Sequence, residues 1–114
     1  MTGYRPPDAD AVPSFRVLSK ESAELLSAMP VRAFATDAVS VDSLAEFYRR
    51  LAQRRSVVYE ETVHHSFLSR GIPVIEQLVN LEELVGVQNA VLVTLPLKVP
   101  GADASPVRAV AFVY

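Results

Sequence analysis

Both histidines of this chain lie in one short stretch, and histidine is the side chain best suited to acid–base or metal chemistry near neutral pH. His64 and His65 are adjacent, and Glu76 follows twelve positions after His64. Imidazole and carboxylate groups are ligands that a divalent metal accepts. Successive side chains on a helix point about 100° apart, so the two histidines do not readily bind one ion together. A metal hypothesis therefore pairs one histidine with Glu76.

Glu76 ends an apolar segment that contains Ile72, Val74 and Ile75. An ionised carboxylate inside an apolar strand is costly unless it is paired or bound to a metal. The alternative is that Glu76 lies in water at the end of the strand, with both histidines at the surface. The residues alone leave both interpretations open.

Other chemistries have weaker support. A Ser-His-Asp catalytic triad could combine Ser40 or Ser105 with His64 and Asp37. However, no G-x-S-x-G motif surrounds either serine, so we discount this triad. Four scattered glycines cannot build a phosphate-binding loop. The chain contains no cysteine, which excludes a thiol nucleophile and a thiolate zinc site.

Length and charge narrow the class of protein. A chain of 114 residues is sufficient for one domain with one core. A formal charge of −2 gives no basic excess, so a general nucleic-acid binder is not expected. The amino terminus is polar and broken by prolines, unlike a signal peptide, and no apolar run approaches the roughly 20 residues of a membrane helix. We therefore expect a soluble cytoplasmic protein.

Capping signals predict three helices. Ser19 is placed to cap a helix that runs to about Met29 and ends before a proline, and Ser43 has capping-box spacing to Glu46. Thr62 precedes a short helix over residues 63–70, which Gly71 closes in the left-handed conformation. The second predicted helix carries four arginines: Arg49, Arg50, Arg54 and Arg55. They could bind an anion or a partner. We favour a solvated face with cations near the helix C-terminus.

Apolar segments between these helices predict an α/β fold with a mixed sheet of about four to five strands and flanking helices. The run over residues 90–97 is the most apolar and indicates a buried strand. Pro73 must lie at an edge or at a strand start, because it cannot donate to a ladder. Residues 1–17 predict an irregular lead-in, with a single domain over 18–114. The predicted strands cover residues 31–35, 57–59, 72–75, 90–97 and 107–113.

Four sequence blocks resemble one known family in order. They are G-I-P-V-I-E-Q-L at 71–78, N-L-E-E-L at 80–84, L-P-L-K at 95–98 and G-A-D-A-S-P-V-R-A at 101–109. Together they resemble the carboxyl-terminal half of the metal-dependent cyclase family, which includes kynurenine formamidase (arylformamidase), isatin hydrolase and some polyketide cyclases. The resemblance covers residues 60–114 well and the preceding, amino-terminal part of the chain more weakly. It implies the carboxyl-terminal part of a swivelling β/β/α domain.

The resemblance also implies a site. His64 and Glu76 fall on two metal-ligand positions of the family, for zinc or manganese, whereas His65 falls on a position that is not a ligand. Gln77 replaces the usual asparagine after the glutamate. The implied activity is amide or lactam hydrolysis, or a related cyclisation, as in the tryptophan catabolism that kynurenine formamidase serves. No catalytic residue is assigned.

The chain departs from the family in its first half. The family motif H-x-G-T-H-x-D, which supplies most metal ligands, is missing, and no histidine precedes His64. Thr2-Gly3-Tyr4 resembles the segment after a mid-domain strand of full-length members, so the domain is expected to be partial. The expected partner is a subunit that forms the amino-terminal half, or a second copy in a homo-oligomer. The alternatives are an inactive remnant that serves as an interaction domain, and a gene truncated at its start.

Overall fold

Three helices begin at the predicted capping residues. The computed structural model describes residues 16–56 and 58–114, and in it the helices are α1 (Lys20–Ala28), α2 (Leu44–Ala52) and α3 (Val63–Leu68). The side chains of Ser19, Ser43 and Thr62 each accept a hydrogen bond from a backbone N–H three residues later. These bonds satisfy N–H groups that have no partner within their helix. Gly71 closes α3 with a φ of +70°, as predicted.

The fold class is mixed α/β as predicted, but the described strands form two small sheets instead of one sheet of four to five strands. β1 (Phe34–Ala35) and β2 (Val74–Ile75) pair in parallel. β3 (Ala90–Pro96) and β4 (Val107–Val113) pair antiparallel over seven residues each. Pro73 lies immediately before β2, where its carbonyl accepts a hydrogen bond from the Phe34 N–H at 2.9 Å. The predicted position of this proline is therefore confirmed.

Some local predictions need correction. The strand predicted at 57–59 is wrong at Tyr59, which begins a 3-10 turn over Tyr59–Glu61, while Val57 lies outside the described residues. The sequence over residues 78–84 also allows a turn of helix with Asn80 as a possible cap. A 3-10 turn forms there over Leu81–Leu84, but the Asn80 side chain makes no capping hydrogen bond. The lead-in predicted over 1–17 lies outside the described residues except for positions 16 and 17, which are in neither helix nor strand.

The chain divides into two compact units, Met1–Val79 and Asn80–Tyr114. The core of the first unit centres on Phe67, which is fully buried and stacks on Phe34 with ring centroids 4.6 Å apart. Ala23 from α1 and Val63 from α3 are also buried in this cluster. α3 therefore has its buried face set by Val63 and Phe67, and this fixes the direction of its other residues.

The second unit contains the β3–β4 sheet, and its apolar side chains are largely exposed. The strand predicted over 90–97 forms as β3, but the expectation that it is buried is wrong, since Leu92 is 43% and Leu95 64% exposed. A buried strand needs cover on both faces, and the apolar run alone does not supply it. None of the helices formed by the described residues combines the length and the apolar character needed to cross a bilayer.

Candidate functional site

His64 lies in the first turn of α3, and its ring is held by a carboxylate from a distant loop. The Nδ1 atom of His64 lies 2.6 Å from Oδ2 of Asp42, which is 22 residues earlier in the chain. Asp42 stands immediately before the Ser43 cap of α2. The same carboxylate accepts hydrogen bonds from the backbone N–H groups of Val63 at 2.6 Å and His64 at 3.3 Å. Asp42 thus binds both the start of α3 and the imidazole ring.

Glu76 approaches the opposite nitrogen of the same ring. Its Oε1 lies 3.4 Å from Nε2 of His64 and accepts a hydrogen bond from the Val41 N–H at 2.7 Å. Glu76 directly follows β2, and two backbone hydrogen bonds hold the next residues to the loop after β1: Gln77 N–H to Ala38, and Leu78 N–H to Thr36. The carboxylate that the sequence left without a partner is therefore positioned by the parallel strand pair and lies beside His64.

The His64–Glu76 geometry fits two ligands of one metal ion. For Zn–N and Zn–O distances of about 2.0 to 2.2 Å and a tetrahedral angle, the two ligand atoms lie about 3.4 Å apart. The separation of Nε2 and Oε1 is 3.4 Å. A histidine ligand commonly donates its other ring N–H to a carboxylate, and Asp42 takes that role at Nδ1. The donor atoms thus fit a zinc or manganese ion, with Asp42 as an outer partner.

The same geometry provides only part of a catalytic metal site. Within residues 16–56 and 58–114, no group of three or more His, Cys, Asp or Glu side chains is arranged to hold a metal ion. Catalytic zinc sites use three protein ligands. The described residues therefore offer two candidate ligands, His64 and Glu76, together with the Asp42 carboxylate that contacts the ring.

The pKa values of the paired groups move apart. The hydrogen bond with Asp42 raises the pKa of His64 above its ordinary 6.5; burial opposes this, and the negative charge of Glu76 adds to it. For Asp42, burial acts to raise the pKa. The hydrogen bonds from the His64 ring and from the N–H groups of Val63 and His64 outweigh burial, so the pKa lies below its ordinary 3.8. Near pH 6 the pair is an imidazolium and a carboxylate, and a metal must displace the imidazolium proton.

We expect the Asp42–His64 pair to stabilise the fold most between the ordinary pKa values of its members, 3.8 and 6.5. Because the pKa of His64 is raised on folding, its contribution is fully present below 6.5 and is lost as pH rises through the folded pKa. Because the pKa of Asp42 is lowered on folding, its contribution is present above 3.8 and is lost as pH falls through the folded pKa. Urea denaturation of the wild type and of His64→Asn, from this range up to alkaline pH, measures the difference in free energy of unfolding.

The matched control for the pH series is His65→Asn, because the His65 ring packs edge-on against Tyr59, with centroids 5.1 Å apart. The difference in free energy of unfolding between the wild type and His64→Asn should shrink towards alkaline pH. The same series on His65→Asn shows what the loss of a histidine outside the Asp42 pair does. A His64→Asn difference that does not change from mildly acidic to alkaline pH would show that the ion pair does not contribute.

Of the predicted site residues, His64 and Glu76 are brought together, and the exclusion of His65 as a ligand stays a prediction. Asp37, the acid of the discounted serine triad, is exposed, and the carboxylate at Nδ1 of His64 is Asp42 instead. The sequence analysis missed Asp42, a polar residue directly before the Ser43 cap. Its signal was its position directly before a helix cap, and nothing local connects it to a histidine 22 residues away.

The arginines of α2 are partly neutralised within the first unit. Arg49 and Arg50 both pair with Glu46 on the same helix, and Arg50 also contacts Glu61 at 3.2 Å. Pairs three and four residues apart on a helix surface are typical of a solvated face. The contacts of Arg49 and Arg50 favour that interpretation over an anion-binding patch.

Compared with models of known protein families, with curated proteins and with solved structures, the chain has no match.

Proposed function

We propose that this chain is the carboxyl-terminal half of a cyclase-family, metal-dependent hydrolase that acts on amide or lactam bonds or carries out a related cyclisation. The observation that carries the proposal is the 3.4 Å separation of His64 Nε2 and Glu76 Oε1. These are the two residues at which the family resemblance places metal ligands. Their contact supports the resemblance from a direction independent of sequence blocks, because it arises from folding.

The residues of the half-site have distinct roles in this proposal. His64 presents Nε2, and Glu76 presents a carboxylate oxygen held by the Val41 N–H. Asp42 keeps the ring proton on Nδ1, which leaves the Nε2 lone pair free for a ligand. Zinc or manganese, when bound, supplies a Lewis acid that activates water and polarises a carbonyl oxygen. The remaining ligands and the substrate contacts come from an amino-terminal half, either on a separate chain or within a longer parent protein.

The test is complementation. The chain is mixed with a separately expressed amino-terminal half that carries H-x-G-T-H-x-D, together with zinc or manganese, and hydrolysis of N-formylkynurenine is followed by absorbance. We expect activity only when both halves and metal are present. His64→Ala or Glu76→Ala should lower it by more than about 100-fold, since even outer partners of a metal ligand contribute 10–100-fold. His65→Ala is the matched control and should keep most of the activity.

Absence of activity with every such half, or equal activity in the wild type and His64→Ala, would contradict the proposal. The second candidate function is a catalytically inactive interaction domain, which the exposed apolar side chains of the β3–β4 sheet favour. It predicts that His64→Ala and Glu76→Ala leave oligomeric state and biological effect unchanged. Tight, stoichiometric zinc binding by the isolated chain in calorimetry would count against this second candidate.

A further inference from the structure

The β3–β4 sheet has apolar side chains on both faces and two strands among the described residues. On β4, Val110 is 37%, Phe112 59% and Val113 57% exposed. An isolated two-stranded sheet is marginally stable in water, and a third strand is normally needed. Pairing with an additional strand would therefore stabilise this sheet.

The two outer edges of this sheet differ in their capacity to pair. The backbone N–H of Tyr114 bonds the carbonyl of Asn89, and the N–H of Leu97 bonds the carbonyl of Pro106. Along an antiparallel ladder, hydrogen-bonded pairs alternate with pairs that are not hydrogen-bonded. The even-numbered residues of β4 therefore bond to β3. The backbone groups of Ala109 and Ala111 point away from β3, towards the outer edge.

By the same alternation, the outward positions of β3 are even-numbered, and one of them is Pro96, which has no N–H. A proline at an edge strand blunts pairing with another strand. β4 contains no proline or glycine. Within residues 16–56 and 58–114, the outer edge of β4 is therefore the one that can accept another strand.

The sequence of β4 matches itself when two copies run antiparallel. It reads V-R-A-V-A-F-V, which is the same in both directions except at Arg108 and Phe112. A two-fold axis at Val110 pairs Val107 with Val113, Ala109 with Ala111, and Val110 with its own copy. The outward-facing alanines then form the hydrogen-bonded pairs, as the ladder pattern requires. This register is the one that pairs all seven residues of the strand.

Charge also favours this register. Arg108 lies opposite Phe112 of the other copy, where a guanidinium can contact an aromatic face. The two arginines stay about four residues apart along the paired strands, on the order of 13 Å, which exceeds the Debye length at physiological salt. A register centred on Arg108 would place like charges directly opposite, which is destabilising.

We propose that the outer edge of β4 binds the same edge of a second copy of this chain, and that the two hairpins form one four-stranded antiparallel sheet with a two-fold axis at Val110. An isologous contact of this kind closes on itself and leaves Pro96 near each outer edge of the new sheet. The proposal holds for either candidate function, because it uses no residue of the His64 site.

The register is tested by Val110→Cys in this cysteine-free chain. Val110 would meet its own copy in a pair without hydrogen bonds, where the Cα atoms lie about 4.5 Å apart, within the range that a disulfide spans. Mild oxidation should give a covalent dimer at least about tenfold faster than Val93→Cys, because thiols held together have an effective concentration on the order of millimolar. Val93 is the control because it lies beside Val110 on the same face, on the other strand.

A second variant pair tests the edge. Ala109→Pro removes an outward N–H of β4, whereas Thr94→Pro, at the position paired with Ala109, removes an outward N–H of β3. In light scattering the wild type and Thr94→Pro should have twice the mass of the 12.5 kDa chain, and Ala109→Pro should have the monomer mass. Circular dichroism checks that both variants fold. A monomeric wild type, or Val110→Cys that crosslinks no faster than Val93→Cys, would overturn the proposal.

Discussion

In the Asp42→Asn variant, the neutral ring of His64 is expected to carry its proton on Nε2 instead of Nδ1. The wild-type carboxylate accepts from the backbone N–H of Val63 through Oδ1 and from Nδ1 of His64 through Oδ2. The backbone N–H of His64 also donates to Oδ2, at 3.3 Å, but the Val63 contact is much shorter, at 2.6 Å. The single asparagine oxygen is therefore expected to stay with Val63, and the NH₂ group then faces Nδ1. That nitrogen must then accept, and the proton moves to Nε2, the atom that a metal needs free.

Under the proposed function, Asp42→Asn should lower zinc affinity by about 10- to 100-fold in calorimetry, the usual effect of removing an outer partner of a histidine ligand. Nitrogen chemical shifts of the imidazole rings report the tautomer without any metal, with His65 as an internal reference. Asp37→Asn is the matched control, since Asp37 lies in the same loop and is exposed. An unchanged His64 tautomer in Asp42→Asn would show that Asp42 does not orient the ring.

Phe67→Ala is expected to lower the free energy of unfolding by about 3–5 kcal/mol, the range for removing a large buried aromatic side chain. Phe67 is fully buried and stacks on Phe34, so the truncation removes both burial and an aromatic contact. For a small domain this is a large fraction of a total stability of about 5–15 kcal/mol. The measurement is urea denaturation followed by circular dichroism, because the chain has no tryptophan.

The control for Phe67→Ala is Leu68→Ala, the next residue of α3, which is 44% exposed. It should cost about 1 kcal/mol or less, as substitutions at exposed positions usually do. His64 lies one turn before Phe67 on α3, so loss of the core side chain should also broaden the His64 ring signals. Equal destabilisation by the two variants would contradict the placement of Phe67 at the centre of the core.

Local features of the fold were predictable because their interactions span few residues. Ser19, Ser43 and Thr62 each cap a helix through an N–H three residues later, and Gly71 closes α3 in the left-handed conformation. The bounds of β4 also follow from its composition. The prediction of a strand over residues 57–59 was wrong at Tyr59, because a short apolar run does not distinguish a strand from a turn.

The sequence by itself identified the candidate metal ligands, since histidine occurs twice and Glu76 is the carboxylate next to an apolar strand. It also determined where helices begin, because a cap is a contact within one turn. The tertiary structure alone decided that Asp42 holds one side of the His64 ring while Glu76 lies 3.4 Å from the other. Likewise it decided that the strands form two sheets and not one. Contacts that join residues 22 or 35 positions apart depend on how whole elements pack, and no local pattern encodes that placement.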